Sequence, residues 1–156
     1  MDAETVNRIR QLNQQFSFAV IQMHEAIARK AGLSGTDHKY LGFLMQKGQM
    51  TAGELSNLSG LTTGAVTGLI DRFEKKKLVK RQFAAEDRRK VFIEPLPENI
   101  MALLSPLFKD FRNKTEKLIT ELSEREITII ENYLLKTLEI MNKTILQLNS
   151  PAAQKS

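Results

Sequence analysis

TTGAVTGLIDRFEKKKLVKRQFAAEDRRKVFIE, residues 62–94, changes its hydrophobic period halfway along, and that change decides the fold. Val66, Leu69, Ile70 and Phe73 recur at spacings of three and four, the apolar face of a helix. Thr62 and Thr63 supply hydroxyls able to cap its start. The opposite face carries Thr63, Gly64, Thr67, Gly68, Asp71 and Arg72, small or polar groups with nothing to bury. From Val79 the period drops to two: Val79, Arg81 and Phe83 alternate with Lys80 and Gln82. Beyond the polar stretch AAEDRR (84–89), Val91 and Ile93 alternate with Phe92 and Glu94. A helix running directly into a hairpin with a basic tip is the sequence form of a winged helix-turn-helix.

Charge points the same way. Between Asp71 and Lys90 stand nine basic residues against four acids, a net of +5, which is the net charge of the whole chain. The rest therefore balances, and the excess lies in one twenty-residue segment, as a footprint on phosphate requires. Lys75, Lys76 and Lys77 would also suit the negative end of a helix dipole, but that leaves Arg88, Arg89 and Lys90 unexplained.

Upstream, the spacing of Val6, Ile9, Leu12, Phe16, Val20, Met23 and Ile27 predicts one long helix over about 4–30, closed at Gly32. Ser34 can cap a second helix whose apolar residues are Tyr40, Leu41, Phe43, Leu44 and Met45. Thr51 and Glu54 form a capping box for a third, with Leu55 and Leu58 expected to face inward. Ser59-Gly60-Leu61 is then the tight turn before the helix capped at Thr62. Downstream, Pro95 and Pro97 end the second strand, and an apolar pattern over 98–122 predicts a helix that Pro106 should kink or restart. Ser123 and Glu126 box the start of a last helix, striped by Ile127, Ile130, Leu134, Leu138, Met141, Ile145 and Leu148.

The expected fold is thus mainly α with a small β-hairpin wing. A winged helix-turn-helix DNA-binding domain (33–96) stands between an N-terminal dimerisation helix (1–32) and C-terminal dimerisation helices (97–149). A disordered tail follows (150–156). The terminal stripes exceed what one small core can cover, so a homodimer is expected, with two recognition helices about one turn of DNA apart, roughly 34 Å.

In this order of elements the chain resembles the MarR family of bacterial transcription regulators. The matching residues are LTTGAVTGLIDRFEKKKLV (61–79) and EDRRKV (86–91). The resemblance implies a homodimer, usually a repressor, that binds a pseudo-palindromic double-stranded operator and is released by a small molecule. It implies that Gly64 to Arg72 enter the major groove, that Arg89 enters the minor groove, and that Asp87 steadies the wing. DNA contacts are expected from Thr62, Thr63, Gly64, Thr67, Gly68, Arg72, Lys76, Asp87, Arg88, Arg89 and Lys90. Where the family pattern has a glycine before Leu-Val, this chain has Lys77.

A pocket for a small aromatic or amphipathic effector is expected where Phe16, Met23, His24, Tyr40 and Phe43 converge. Apolar and aromatic stripes are more often plain core. Two histidines and no cysteine are too few ligands for a metal site, and no cofactor is expected. With no glycine-rich phosphate loop and no nucleophile-base constellation, an enzyme is not expected. No stretch is apolar enough to span a membrane, so the cytoplasm is the expected location. The competing function is a winged-helix protein-interaction module with only non-specific DNA affinity.

Overall fold

The computed structural model describes residues 2–83 and 91–150. In chain order the elements are α1 (Ala3–Lys30), α2 (Gly35–Lys47), β1 (Met50–Thr51), α3 (Ala52–Ser59), α4 (Thr63–Lys75), β2 (Val79–Phe83), β3 (Val91–Pro95), α5 (Pro97–Thr120) and α6 (Glu124–Asn149). They divide into two compact units, Met1–Lys109 and Asp110–Ser156. The hairpin tip expected at 84–89, with Asp87, Arg88, Arg89 and Lys90, lies outside the described residues, as does the tail from 151.

The helix starts are set by side chains that replace missing backbone acceptors. Ser34, Thr51, Thr62 and Ser123 all sit in extended geometry and accept from the N–H three residues on. Thr51 with Glu54, and Ser123 with Glu126, complete reciprocal capping boxes. Two helix ends share one closure. After α1, the Gly32 N–H donates to the Arg29 carbonyl and the Leu33 N–H to the Ala28 carbonyl, with Gly32 at φ 68°. After α4 the same pattern recurs: Lys77 N–H to Glu74 carbonyl, Leu78 N–H to Phe73 carbonyl, both 2.9 Å. Here the left-handed residue is Lys77, at φ 55°. The helix thus ends as it would with glycine, and lysine bears the strain. Leu78 and Phe73 are both buried, which supplies the apolar contact that holds this closure.

Replacing Lys77 with glycine should therefore stabilise the protein by about 0.5–1 kcal/mol. Relief of about 1–2 kcal/mol of left-handed strain outweighs the extra freedom glycine gives the unfolded chain. Urea unfolding at fixed protein concentration reads this. A destabilised variant would mean that the lysine stem contributes packing that outweighs its strain.

In the first unit one core takes residues from nearly every element. Ala28 and Leu33, Tyr40, Leu41 and Leu44, Leu55, the α4 face Val66, Leu69, Ile70 and Phe73, Leu78, Val79, Ile93 and Ile100 are all buried together. The end of α1 and the start of α5 therefore belong to the winged core as well as to the terminal helices. The wing is a three-stranded antiparallel sheet in the order β1-β3-β2. β2 and β3 pair from Val79↔Pro95 to Phe83↔Val91, and β1 adds Met50↔Ile93 and Thr51↔Phe92. β1 is a strand that the sequence reading lacked.

One local expectation fails, and one half of another. Leu58 is 44 % exposed rather than inward, because the eight-residue α3 offers one narrow buried line and Leu55 occupies it. Pro106 neither ends nor restarts α5, which runs unbroken from Pro97 to Thr120. Ala102, whose carbonyl loses its partner to the proline, is exposed, so water can take that bond. In the second unit α6 has no buried residue.

Candidate nucleic-acid interface

The turn into α4 is built from hydroxyls and one glycine. Gly60 closes α3 at φ 71°. The Ser56 hydroxyl donates to the Leu61 carbonyl (2.6 Å), and the Leu61 N–H donates to the Ser59 hydroxyl (3.2 Å). Thr62 then caps α4, accepting from the Ala65 N–H at 3.4 Å. Because Val66, Leu69, Ile70 and Phe73 anchor one side of α4, Thr62, Thr63, Gly64 and Thr67 are exposed on the other, with Gly68 half-buried. The Thr67 hydroxyl donates to the Thr63 carbonyl (3.0 Å). Its oxygen lone pairs stay available to a partner.

Gly64 is informative because nothing in the protein needs it. Its φ is ordinary, and a Cβ built there would meet no atom within 4 Å. A glycine in a helix costs up to about 1 kcal/mol relative to alanine. What it offers is a bare backbone on the exposed face.

Charged side chains tie this helix to its neighbours. Arg81 of β2 reaches back to both Asp71 and Glu74 of α4, and its backbone N–H donates to Glu74 at 3.3 Å. The bond to Asp71 and the two negative charges hold the Arg81 guanidinium firmly cationic. Lys80 pairs with Glu94 across the sheet at 3.2 Å, directly opposite in register. Arg72 turns aside to Asp37 at the start of α2, with Nη2 at 2.7 Å and Nε at 3.3 Å from its two oxygens. Burial alone would push the Asp37 carboxyl up, but Arg72 and Ser34 outweigh it and hold it below the usual carboxylate range. The Lys76 ammonium lies over the end of α1, 3.3 Å from where a Cβ on Gly32 would stand.

A groove of about 610 Å³ opens beside the start of α2, lined by Ile21, His24 and Glu25 of α1 and by Gly35, Thr36, His38, Lys39 and Tyr40. His24 and Tyr40 are thus placed in it. Phe43 packs on the Tyr40 ring instead, Met23 is half-buried outside the lining, and Phe16 is 67 % exposed. His38, Lys39 and Glu25 are lining residues that the sequence reading missed. The His24 and His38 rings lie 5.1 Å apart, each within 6.2 Å of the Phe108 ring. Burial, then the neighbouring His24, push His38 below its ordinary pKa. Among the described residues no group of three or more His, Cys, Asp or Glu could hold a metal ion. No described helix is long and apolar enough to cross a membrane.

A capped recognition helix behind a tight turn, backed by a three-stranded wing, defines a winged helix-turn-helix protein. The MarR family model matches residues 31–90. YcgE, an HTH-type transcriptional regulator of Bacillus subtilis strain 168, is 36% identical over 135 residues, 86% of this chain and 87% of that protein. Among solved structures, a MarR family protein from Bacillus stearothermophilus covers 91% of this chain and 99% of its own at 25% identity, with a TM-score of 0.69. A mutant of S. aureus MepR bound to an oligodeoxyribonucleotide shares the fold over 85% of this chain and 97% of its own, at 23% identity and a TM-score of 0.59. The chain belongs to the MarR family of HTH-type transcriptional regulators and is not an enzyme.

Proposed function

We propose that the chain is a homodimeric repressor that binds a pseudo-palindromic operator in the cytoplasm and leaves it when a small molecule occupies the groove beside α2. The observation that carries the DNA half is the outward face of α4, where Thr62, Thr63, Gly64 and Thr67 leave backbone and small side chains exposed beside the half-buried Gly68, and where a side chain at Gly64 would meet nothing. Such a face suits close approach to base edges, the threonines contributing hydroxyl and methyl contacts. Lys76 and the wing residues Arg88, Arg89 and Lys90 supply the cationic flank, with Asp87 holding the wing. The groove's lining, with the rings of His24, His38 and Tyr40 and the opposite charges of Glu25 and Lys39, suits a small aromatic or amphipathic effector. Such a ligand releases DNA only by favouring a form that fits DNA less well.

Selection of bound sites from random duplexes, repeated at two salt concentrations, tests this. A two-fold site with half-sites about one helical turn apart supports it. Sequence-indifferent binding would favour the protein-interaction module instead.

Gly64→Ala separates a partner's need from the protein's own. It should leave unfolding unchanged or raise stability by less than about 1 kcal/mol. Operator affinity, read by fluorescence anisotropy, should fall at least about tenfold, about 1.4 kcal/mol. Full affinity in that variant would place Gly64 away from the bases.

A further inference from the structure

Arg72 lies in α4, the proposed recognition helix, and the family resemblance would make it a contact residue. Its geometry gives it another task. The guanidinium is committed in three directions at once: Nη2 and Nε to the Asp37 carboxylate, Nη1 to the Gly68 carbonyl at 3.1 Å on its own helix. Three of its five N–H donors are thereby used inside the protein. Asp37 is only 5 % exposed and stands in the first turn of α2, itself fixed by the Ser34 cap. Swinging Arg72 out to a phosphate would leave the buried Asp37 carboxylate with Ser34 alone to offset its burial, a cost that opposes the move.

We propose that Arg72 is a positioning residue: through Asp37 it clamps α4 to the start of α2, and so sets the angle at which the threonine-lined face meets the operator. The proposal rests on the operator-binding reading above. Planarity matters here, because a fork that grips two carboxylate oxygens and a carbonyl fixes rotation about the helix axis. An ammonium, being a point charge, does not.

The test uses the full chain with the selected operator and a scrambled duplex, across a salt series, well below each variant's melting temperature. Asp37→Asn, Arg72→Gln and Arg72→Lys should each lose at least tenfold in operator affinity and no more than threefold on the scrambled duplex. The double variant Asp37→Asn/Arg72→Gln should lose no more than the worse single one. The slope of log affinity against log salt should stay within half a unit of the parent's.

Opposite results are equally legible. Were field effects the whole story, Asp37→Asn would bind more tightly, since it removes a negative charge. Were Arg72 a phosphate contact, Arg72→Lys would keep its affinity and Arg72→Gln would flatten the slope by about one unit. Any of these overturns the clamp. A measurement without DNA separates the clamp from the function it serves: amide exchange over 68–73 should quicken at least tenfold in Arg72→Lys, and unchanged exchange also overturns the proposal. If the parent shows no operator preference, the operator reading falls, and exchange alone decides the clamp.

Discussion

A glutamate in place of Leu138 should leave the chain as a lone protomer and cost operator affinity a factor of about one hundred or more. The reason is the stripe along α6: Ile130, Leu134, Leu138, Met141 and Ile145 are between 43 and 54 % exposed and recur at spacings of three and four. α1 carries a similar stripe, with Ile9 41 %, Leu12 53 % and Phe16 67 % exposed. Monomeric proteins rarely show water so continuous an apolar surface. On another side of α6, Glu139 and Lys143 form an ion pair 2.7 Å apart. In the proposed homodimer a second copy of the chain covers these stripes. A carboxylate buried without a partner in the middle of that contact costs several kcal/mol. Once the dimer is gone, the two half-sites bind independently, and the factor of about 10²–10⁴ that linkage gives is lost. Sedimentation velocity with operator anisotropy reads both effects. A dimer of unchanged affinity would put the contact elsewhere, and Leu138→Ala should fall between the two.

Where chemistry was local, the sequence was enough. The switch of period at Val79 placed α4 and β2, and serine or threonine three residues before a paired N–H placed four helix starts. The small-residue face of α4 was readable because helical period sorts Val66, Leu69, Ile70 and Phe73 from Thr63, Gly64 and Thr67. What escaped depends on distance along the chain. Asp37 and Arg72 are 35 positions apart, and no spacing rule joins them. His24 and His38 meet only because the turn at Gly32 folds α2 back on α1, which brings Lys39 and Glu25 to the same groove. β1, two residues long, has no period to detect and exists through its pairing with β3. Lys77 is the mixed case. Its departure from the family's glycine was visible, but only the two hydrogen bonds around it show that the backbone kept the glycine conformation.

The same reasoning makes Phe73 the most costly single residue to truncate. It is 0 % exposed, ends the buried face of α4, and its carbonyl accepts the Leu78 N–H that closes that helix while its side chain belongs to the shared core. Phe73→Ala should destabilise the protein by about 3–5 kcal/mol, through lost transfer energy and the cavity left behind. A domain of this size holds about 5–15 kcal/mol in all, so up to most of the margin can go with one ring. Phe83, at the open end of β2 and 66 % exposed, gives the contrast: Phe83→Ala should stay within about 0.5 kcal/mol. Urea unfolding at one fixed protein concentration compares the two, since a dimer's apparent stability moves with concentration. If Phe73→Ala cost under about 1.5 kcal/mol, the core would be relaxing around the gap. The recognition helix would then owe its place less to packing than to the charged ties from Asp37 and Arg81.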